Sequence, residues 1–437
     1  MKKRLSLSLA LILAFALIVT ACGGNNGNNA SQSPSASGAA SESSSPSADA
    51  PKETVEVTLA GWGASPEETE LLKQTLDEFQ AKNPDVKVKH EVIADQYMDV
   101  IKTRLIGGEA PDVFYMDGSE APGIIESGVL EPLDSYMGND FDVTDFEEPL
   151  LNAFKSPDGK IYGFPKDFSP LAMFYNKKMF ADAGITAPPA TWDEFREVAK
   201  KLTKGNDVYG FGVAPELARQ LFMTQAFGGK VVDENGSAVF NTAEAIQGLQ
   251  LVIDQRIVDK SSGQPSDVGA GWGGEMFGQG KAAMVFEGNW AIPYLESNFP
   301  DLDWGTAELP SINGKKGTMA FTVAYVMNKE SKKKEAAWKL ISYLTGKEGM
   351  KTWTSKGFAL PSRKSVAVEL GFDKDPIRGA LVAGAAYATP WQAGKNQPII
   401  STNFNNQFVS AFLGDQKLDA AMKTAVETAN KEIEASK

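Results

Sequence analysis

The chain has 437 residues, 43 basic against 56 acidic side chains, a formal charge of −13 and a single cysteine. This balance argues against a nucleic-acid partner, because a phosphate backbone needs a positive footprint. One cysteine rules out a disulfide within the chain, and the length exceeds what one hydrophobic core usually supports, so two domains with ordinary cores are expected.

The chain opens with Lys2, Lys3 and Arg4, an uncharged run over 5–19, then Val19-Thr20-Ala21-Cys22-Gly23. This is the basic, apolar and small-residue order of a secretory signal. As a helix the run spans about 22 Å, short for a stable membrane span. An ordinary signal with a chance cysteine is the plain alternative. The placement of Cys22 resembles the bacterial lipoprotein signal, whose cysteine takes the lipid and becomes the first residue. That resemblance implies a signal peptide over 1–21, lipidation at Cys22 and a lipid anchor on the extracytoplasmic face of the cell membrane. Without the three leader cations the mature chain is near −16. Residues 22–53 have the Gly, Asn, Ser, Ala and Pro composition of a disordered tether.

Order is expected from Thr54. Val55, Val57 and Leu59 alternate as a strand that ends at Gly61-Trp62-Gly63. A helix over 66–81 carries Leu72, Leu76 and Phe79 on one face. Val86, Val88 and His90 give a strand, 97–106 a helix, 112–116 a strand and 121–127 a helix. Strand and helix alternate, which is an α/β pattern with a parallel sheet. Ligands of such sheets bind beyond the carboxyl ends of the strands, where Trp62 and Asp117-Gly118-Ser119-Glu120 fall.

Over 161–175 a strand, a polar break at Lys166-Asp167 and a second strand from Leu171 are expected. Thr191 and Glu194 form a capping box for a helix with Trp192, Phe195, Ala199 and Leu202 on one face. A helix over 217–227 follows, and then one capped by Asn241. Residues 259–274, which carry Trp272, read as flexible, and 275–278 as helical at most. Strands are expected at 282–286 and 319–327, and helices at 290–297, 332–344 and 415–437. Trp192, Trp304, Trp338 and Trp353 are assigned to the core.

Several local motifs, in this order, resemble the extracellular solute-binding proteins of ABC importers, in the group that includes maltose- and other sugar-binding proteins. They are Gly107-Gly108-Glu109-Ala110-Pro111-Asp112-Val113, Tyr162-Gly163-Phe164-Pro165 with Phe174-Tyr175-Asn176-Lys177, Gly280-Lys281-Ala282-Ala283-Met284 leading to Gly288-Asn289-Trp290, and Gly346-Lys347-Glu348-Gly349. The resemblance implies a two-lobed, class II periplasmic-binding-protein-like α/β fold with discontinuous lobes joined by a hinge. Lobe 1 would hold 54–165 and 306–350, and lobe 2 would hold 168–303 and 351–437. It also implies a monomer that captures a neutral sugar or short oligosaccharide between its lobes and delivers it to membrane permease subunits, with no cofactor and no metal.

A sugar site needs aromatic platforms and acceptors that fix hydroxyls. Trp290 matches an aromatic that stacks on sugar in maltose-binding relatives; the alternative is a helix-start residue packed on its own lobe. Trp62, Asp117 and Glu120 follow strand ends, against the alternative of solvated turns. The maltose-type turn has an aromatic followed by Asp and Arg; Met116-Asp117-Gly118-Ser119-Glu120 lacks the arginine, which argues against maltose itself. Lys166 and Asp167 lie at the first crossing, as cleft groups or a hinge ion pair. Trp391, Trp272 and Tyr387 are further ring candidates, and Glu287 and Asn289 are contacts or caps.

A tethered glycoside hydrolase is the enzyme alternative. It needs two carboxylates at about 5 Å or 6.5–9.5 Å, for which Asp117 and Glu287 are the pair to consider, but nothing marks either as a proton donor. There is no Gly-x-Ser-x-Gly elbow, and His90 is the single histidine. A surface carbohydrate-binding or sensor protein without transport is the other alternative.

Overall fold

The computed structural model describes residues 54–436, apart from 64, 65, 95 and 139. The leader, Cys22 and the tether lie outside the described residues. Eleven strands are described: β1 Val55–Trp62, β2 Val86–Ile93, β3 Val113–Asp117, β4 Gly163–Pro170, β5 Ala172–Asn176, β6 Tyr209–Gly212, β7 Ser262–Gly263, β8 Ala282–Glu287, β9 Trp304–Ala307, β10 Thr318–Met327 and β11 Ala388–Pro390.

They form two sheets. The first has the order β11-β10-β3-β1-β2, with β4 also paired to β10. In it β1 runs parallel to both β2 and β3, as alternating strands and helices require. The second sheet has the order β7-β6-β8-β5-β9. There β6 runs parallel to β7 and β8, while β5 is antiparallel to β8 and β9. Each sheet has its own core. Leu72, Leu76 and Phe79 of the helix Pro66–Lys82 pack on the first with Val57, Leu59 and Phe114. Phe195, Phe211, Met284 and Phe286 fill the second together with the C-terminal helices. This is the two-lobed class II fold.

Two segments join the sheets, β4 to β5 and β9 to β10. Leu171 alone separates β4 from β5. Thr318 Oγ1 donates to the Leu171 carbonyl at 2.7 Å, and Leu171 N donates to Met319 O at 3.0 Å. Beside these connections Leu360 exchanges backbone hydrogen bonds with Phe168 at 3.1 and 3.2 Å. Phe168, Ala320, Leu360 and Ala388 share a third apolar cluster with Phe174 and Trp304. The crossings are therefore packed and hydrogen-bonded, as a hinge that closes as a unit requires.

Several local expectations change. The strand β4 runs straight through Lys166 and Asp167, with a bulge opposite Val323/Ala324. The pair is buried rather than a break, because the two charges meet each other. Thr242, not Asn241, caps the helix Ala243–Ile257, through Oγ1 to Ala245 N at 3.3 Å. The segment expected to be flexible contains β7, with Ser261 and Ser262 fully buried. The helices Lys347–Thr354 and Gln397–Leu413 were not anticipated. Trp338 is half-buried and packs at the edge of the first core, against Phe141 and Phe164.

Candidate functional site

Chain order and sheet order together single out one place on each sheet. From β1 the chain passes to β2 on one side, then to β3 on the other, so β1 and β3 flank a switch in direction. From β6 it passes to β7 on one side and to β8 on the other, which makes β6 and β8 the equivalent pair. Ligands of open α/β sheets bind at the carboxyl ends of strands at such points. Trp62 ends β1 and Asp117 ends β3; Glu287 ends β8, and Glu216 follows β6.

On the first wall, the half-buried Trp62 ring stands edge-on to Tyr97 at 5.2 Å and to Tyr115 at 5.1 Å. Gly61 leaves room for this: a Cβ there would lie 2.6 Å from the Tyr115 ring. Asp117 Oδ1 accepts from Ser119 N at 2.8 Å and Ser119 Oγ at 2.5 Å, which folds the turn back on the carboxylate. Burial pushes the Asp117 pKa up against those bonds. Glu120 pairs with Lys102 at 2.8 Å. A cavity of about 470 Å³ runs from Glu120 to Trp391 and Ser401. Next to Trp391, Gln392 Nε2 donates to Gly118 O at 2.7 Å and Ala153 O at 3.0 Å, which ties the chain after β11 to the turn after β3.

At the crossing, the Lys166 ammonium pairs with Asp167 Oδ2 and lies 4.0 Å from the Trp353 ring and 5.0 Å from the Tyr115 ring. Asp167 Oδ2 also accepts from Trp353 Nε1 at 2.8 Å. A small enclosed cavity beside this cluster is lined by Trp62, His90, Tyr115 and Lys166. Burial lowers the His90 pKa, and its Nε2 has no hydrogen-bond partner among the described residues.

On the second wall, Glu287 is 1% exposed. Its Oε2 accepts from Trp290 Nε1 at 3.0 Å and Arg219 Nη2 at 2.9 Å. Burial is the largest influence on its carboxyl and pushes the pKa up; Arg219 and Trp290 pull against it. Arg219 also donates to Glu216 at 2.6 Å, and its guanidinium carbon lies 5.2 Å from the Trp290 ring centroid. Trp290 meets Phe321 of β10 edge-on at 5.6 Å, so this wall reaches the crossing. Asn289 is fully buried and donates to Phe358 O, while its Oδ1 has no hydrogen-bond partner among the described residues.

The structure thus gathers the named residues into three groups: Glu287, Asn289 and Trp290; Lys166 and Asp167 with Trp62 nearby; and Asp117 and Glu120 with Trp391. The other two pack separately. Trp272 stands edge-on to Tyr294 at 4.8 Å. Tyr387 donates to Glu308 at 2.5 Å. Arg219, Trp353 and Gln392 were missed. The Trp353 ring sits in the core, as expected, but its indole N–H donates to Asp167 at the crossing.

A two-lobed fold whose strand ends at the switch point of each sheet carry aromatic and acidic side chains defines the class of solute-binding receptors. The chain belongs to the bacterial extracellular solute-binding protein family, whose profile matches residues 63–351. A binding protein of Brucella abortus is 28% identical over 404 residues, covering 88% of this chain and 94% of the relative. A maltotriose-binding protein of Pyrococcus abyssi is 26% identical over 298 residues, covering 64% of this chain and 60% of the relative. Among solved structures, an ABC substrate-binding protein of Listeria monocytogenes in complex with cycloalternan matches with a TM-score of 0.74 and 28% identity, covering 87% of this chain and 99% of the other.

Proposed function

We propose that this protein is the lipid-anchored receptor of an ABC importer, which captures a carbohydrate, an oligosaccharide, between its lobes and delivers it unchanged to the permease. The anchor would be Cys22, with residues 22–53 as the tether and the lobes divided near 166 and 350. The observation that carries the reading is the pair of switch points, one in each sheet, the first bearing Trp62 and Asp117 at its strand ends and the second bearing Glu287 with Trp290 just beyond it. Rings suit the apolar faces of a sugar, and carboxylates suit its hydroxyls. The name of the Pyrococcus relative and the ligand of the Listeria structure agree with it. Binding alone would favour closure of the lobes, by stabilising the closed state.

Titration calorimetry against a panel of neutral oligosaccharides, with an assay for new reducing ends on the same samples, tests the reading. Saturable binding without turnover is expected. Tight binding of a different solute class and of no saccharide, or the appearance of new reducing ends, contradicts it.

A further inference from the structure

We propose that Arg219 is a positioning residue that sets the orientation of the Trp290 ring and confines ligand stacking to one of its faces. The proposal rests on the reading that Trp290 faces the ligand and adds a residue to it. Arg219 lies in the helix Leu217–Gln225, in the run Leu-Ala-Arg-Gln-Leu-Phe-Met, where every other residue is buried and Arg219 itself is half-buried. A charge in that setting costs free energy unless it is paired.

It is paired twice, and both partners bear on the site. Nη1 donates to Glu216 Oε1 at 2.6 Å, in the turn after β6. Nη2 donates to Glu287 Oε2 at 2.9 Å, at the end of β8. The same oxygen takes the Trp290 indole N–H at 3.0 Å. Glu287 therefore fixes one edge of the indole, and Arg219 fixes Glu287. The guanidinium carbon also stands 5.2 Å from the ring centroid, within reach of a cation–π contact. That places a cation over one face of the indole, so a stacked ligand would take the other. Gly288 completes the fit, since a Cβ on it would lie 2.0 Å from the ring.

The ring is held before any ligand arrives, so little rotamer freedom is lost on binding. The held geometry also restricts what fits: a flat, C–H-rich ligand face presented from one side, as a pyranose offers. Arg219 Nε is buried and has no hydrogen-bond partner among the described residues.

The test uses the full mature chain and two readouts. The first is the indole N–H resonance of Trp290 in the free protein, identified by its disappearance in Trp290→Phe. Arg219→Met and Glu287→Gln are expected to shift it, and Arg219→Lys to shift it less. An unmoved resonance in Arg219→Met overturns the proposal whether or not any saccharide binds. The second readout is affinity for maltotriose and a galacto-oligosaccharide. Arg219→Met is expected to lose about tenfold, the size of one such contact, with partial recovery in Arg219→Lys. The loss is expected to shrink in the Trp290→Phe background, because Arg219 acts through the ring. Equal losses in both backgrounds mean direct ligand contact and overturn the positioning role. If no saccharide binds wild type while the resonance shifts as expected, the carbohydrate reading fails and the positioning role stands.

Discussion

Trp353 donates its indole N–H to Asp167 Oδ2 at 2.8 Å, joining residues 186 positions apart at the hinge. The same oxygen carries the Lys166 ammonium, which the Trp353 ring covers at 4.0 Å. A buried ion pair is tolerable here because each partner has further contacts to replace water. Trp353→Phe keeps the ring but removes the donor. A stability loss of roughly 1.5–3 kcal/mol is expected, the usual size for a hydrogen bond to a charged group. Denaturant unfolding checks this, and an unchanged midpoint would mean that the bond contributes nothing net.

Gly288→Ala places a Cβ 2.0 Å from the Trp290 ring, so the ring must move. Overpacking of this kind costs roughly 1–3 kcal/mol. Saccharide affinity is expected to fall about tenfold or more, and calorimetry on the folded variant measures it.

Anionic saccharides are expected to bind at least roughly a hundredfold more weakly than neutral ones of the same length, since burying an unpaired charge costs several kcal/mol. The cations that touch the candidate residues are already matched. Lys102 pairs with Glu120 and Lys166 with Asp167, and Arg219 pairs with both Glu216 and Glu287. Asp117, by contrast, is held by the Ser119 backbone and hydroxyl. Parallel titrations with an oligogalacturonate and a galacto-oligosaccharide check the ratio.

Asp112 predicts an acid-dependent contribution to stability. Burial pushes its carboxyl up, but the bonds from Thr58 N at 2.9 Å, Thr58 Oγ1 at 2.8 Å, Ser331 Oγ at 2.7 Å and Lys333 at 3.2 Å outweigh it and hold the pKa below its ordinary value. The unfolded chain then binds the proton more tightly than the folded one does. The contribution is complete above the ordinary value of 3.8 and is lost as pH falls through the folded pKa. Asp112→Asn is expected to lower Tm at pH 7, with the gap from wild type closing below about pH 4. A gap that stays constant from pH 7 to pH 3 would show that the charge contributes nothing.

Much of the fold is legible in periodicity. The Thr191–Glu194 capping box is present as both reciprocal bonds. Leu72, Leu76 and Phe79 are buried together as their spacing requires. What escaped depends on distance along the chain. Nothing local to Arg219 announces Glu287, which is 68 residues away. Lys166 and Asp167 read as a break because two charges side by side suggest solvent; their ion pair and the distant rings of Trp353 and Tyr115 together explain their burial. The helix Gln397–Leu413 carries Ile400, Phe404, Phe408 and Ala411 on its buried face, a readable pattern obscured by its Pro398 and its asparagines.

Small-angle scattering of the mature chain with and without a saturating neutral oligosaccharide, alongside Trp290→Ala, tests the two-wall clamp most directly. The account expects the radius of gyration to fall on saturation in wild type, and the concentration needed for that fall to rise sharply in Trp290→Ala. A wild-type chain that binds saccharide with no compaction, or a Trp290→Ala chain that compacts at the same concentration as wild type, would contradict it.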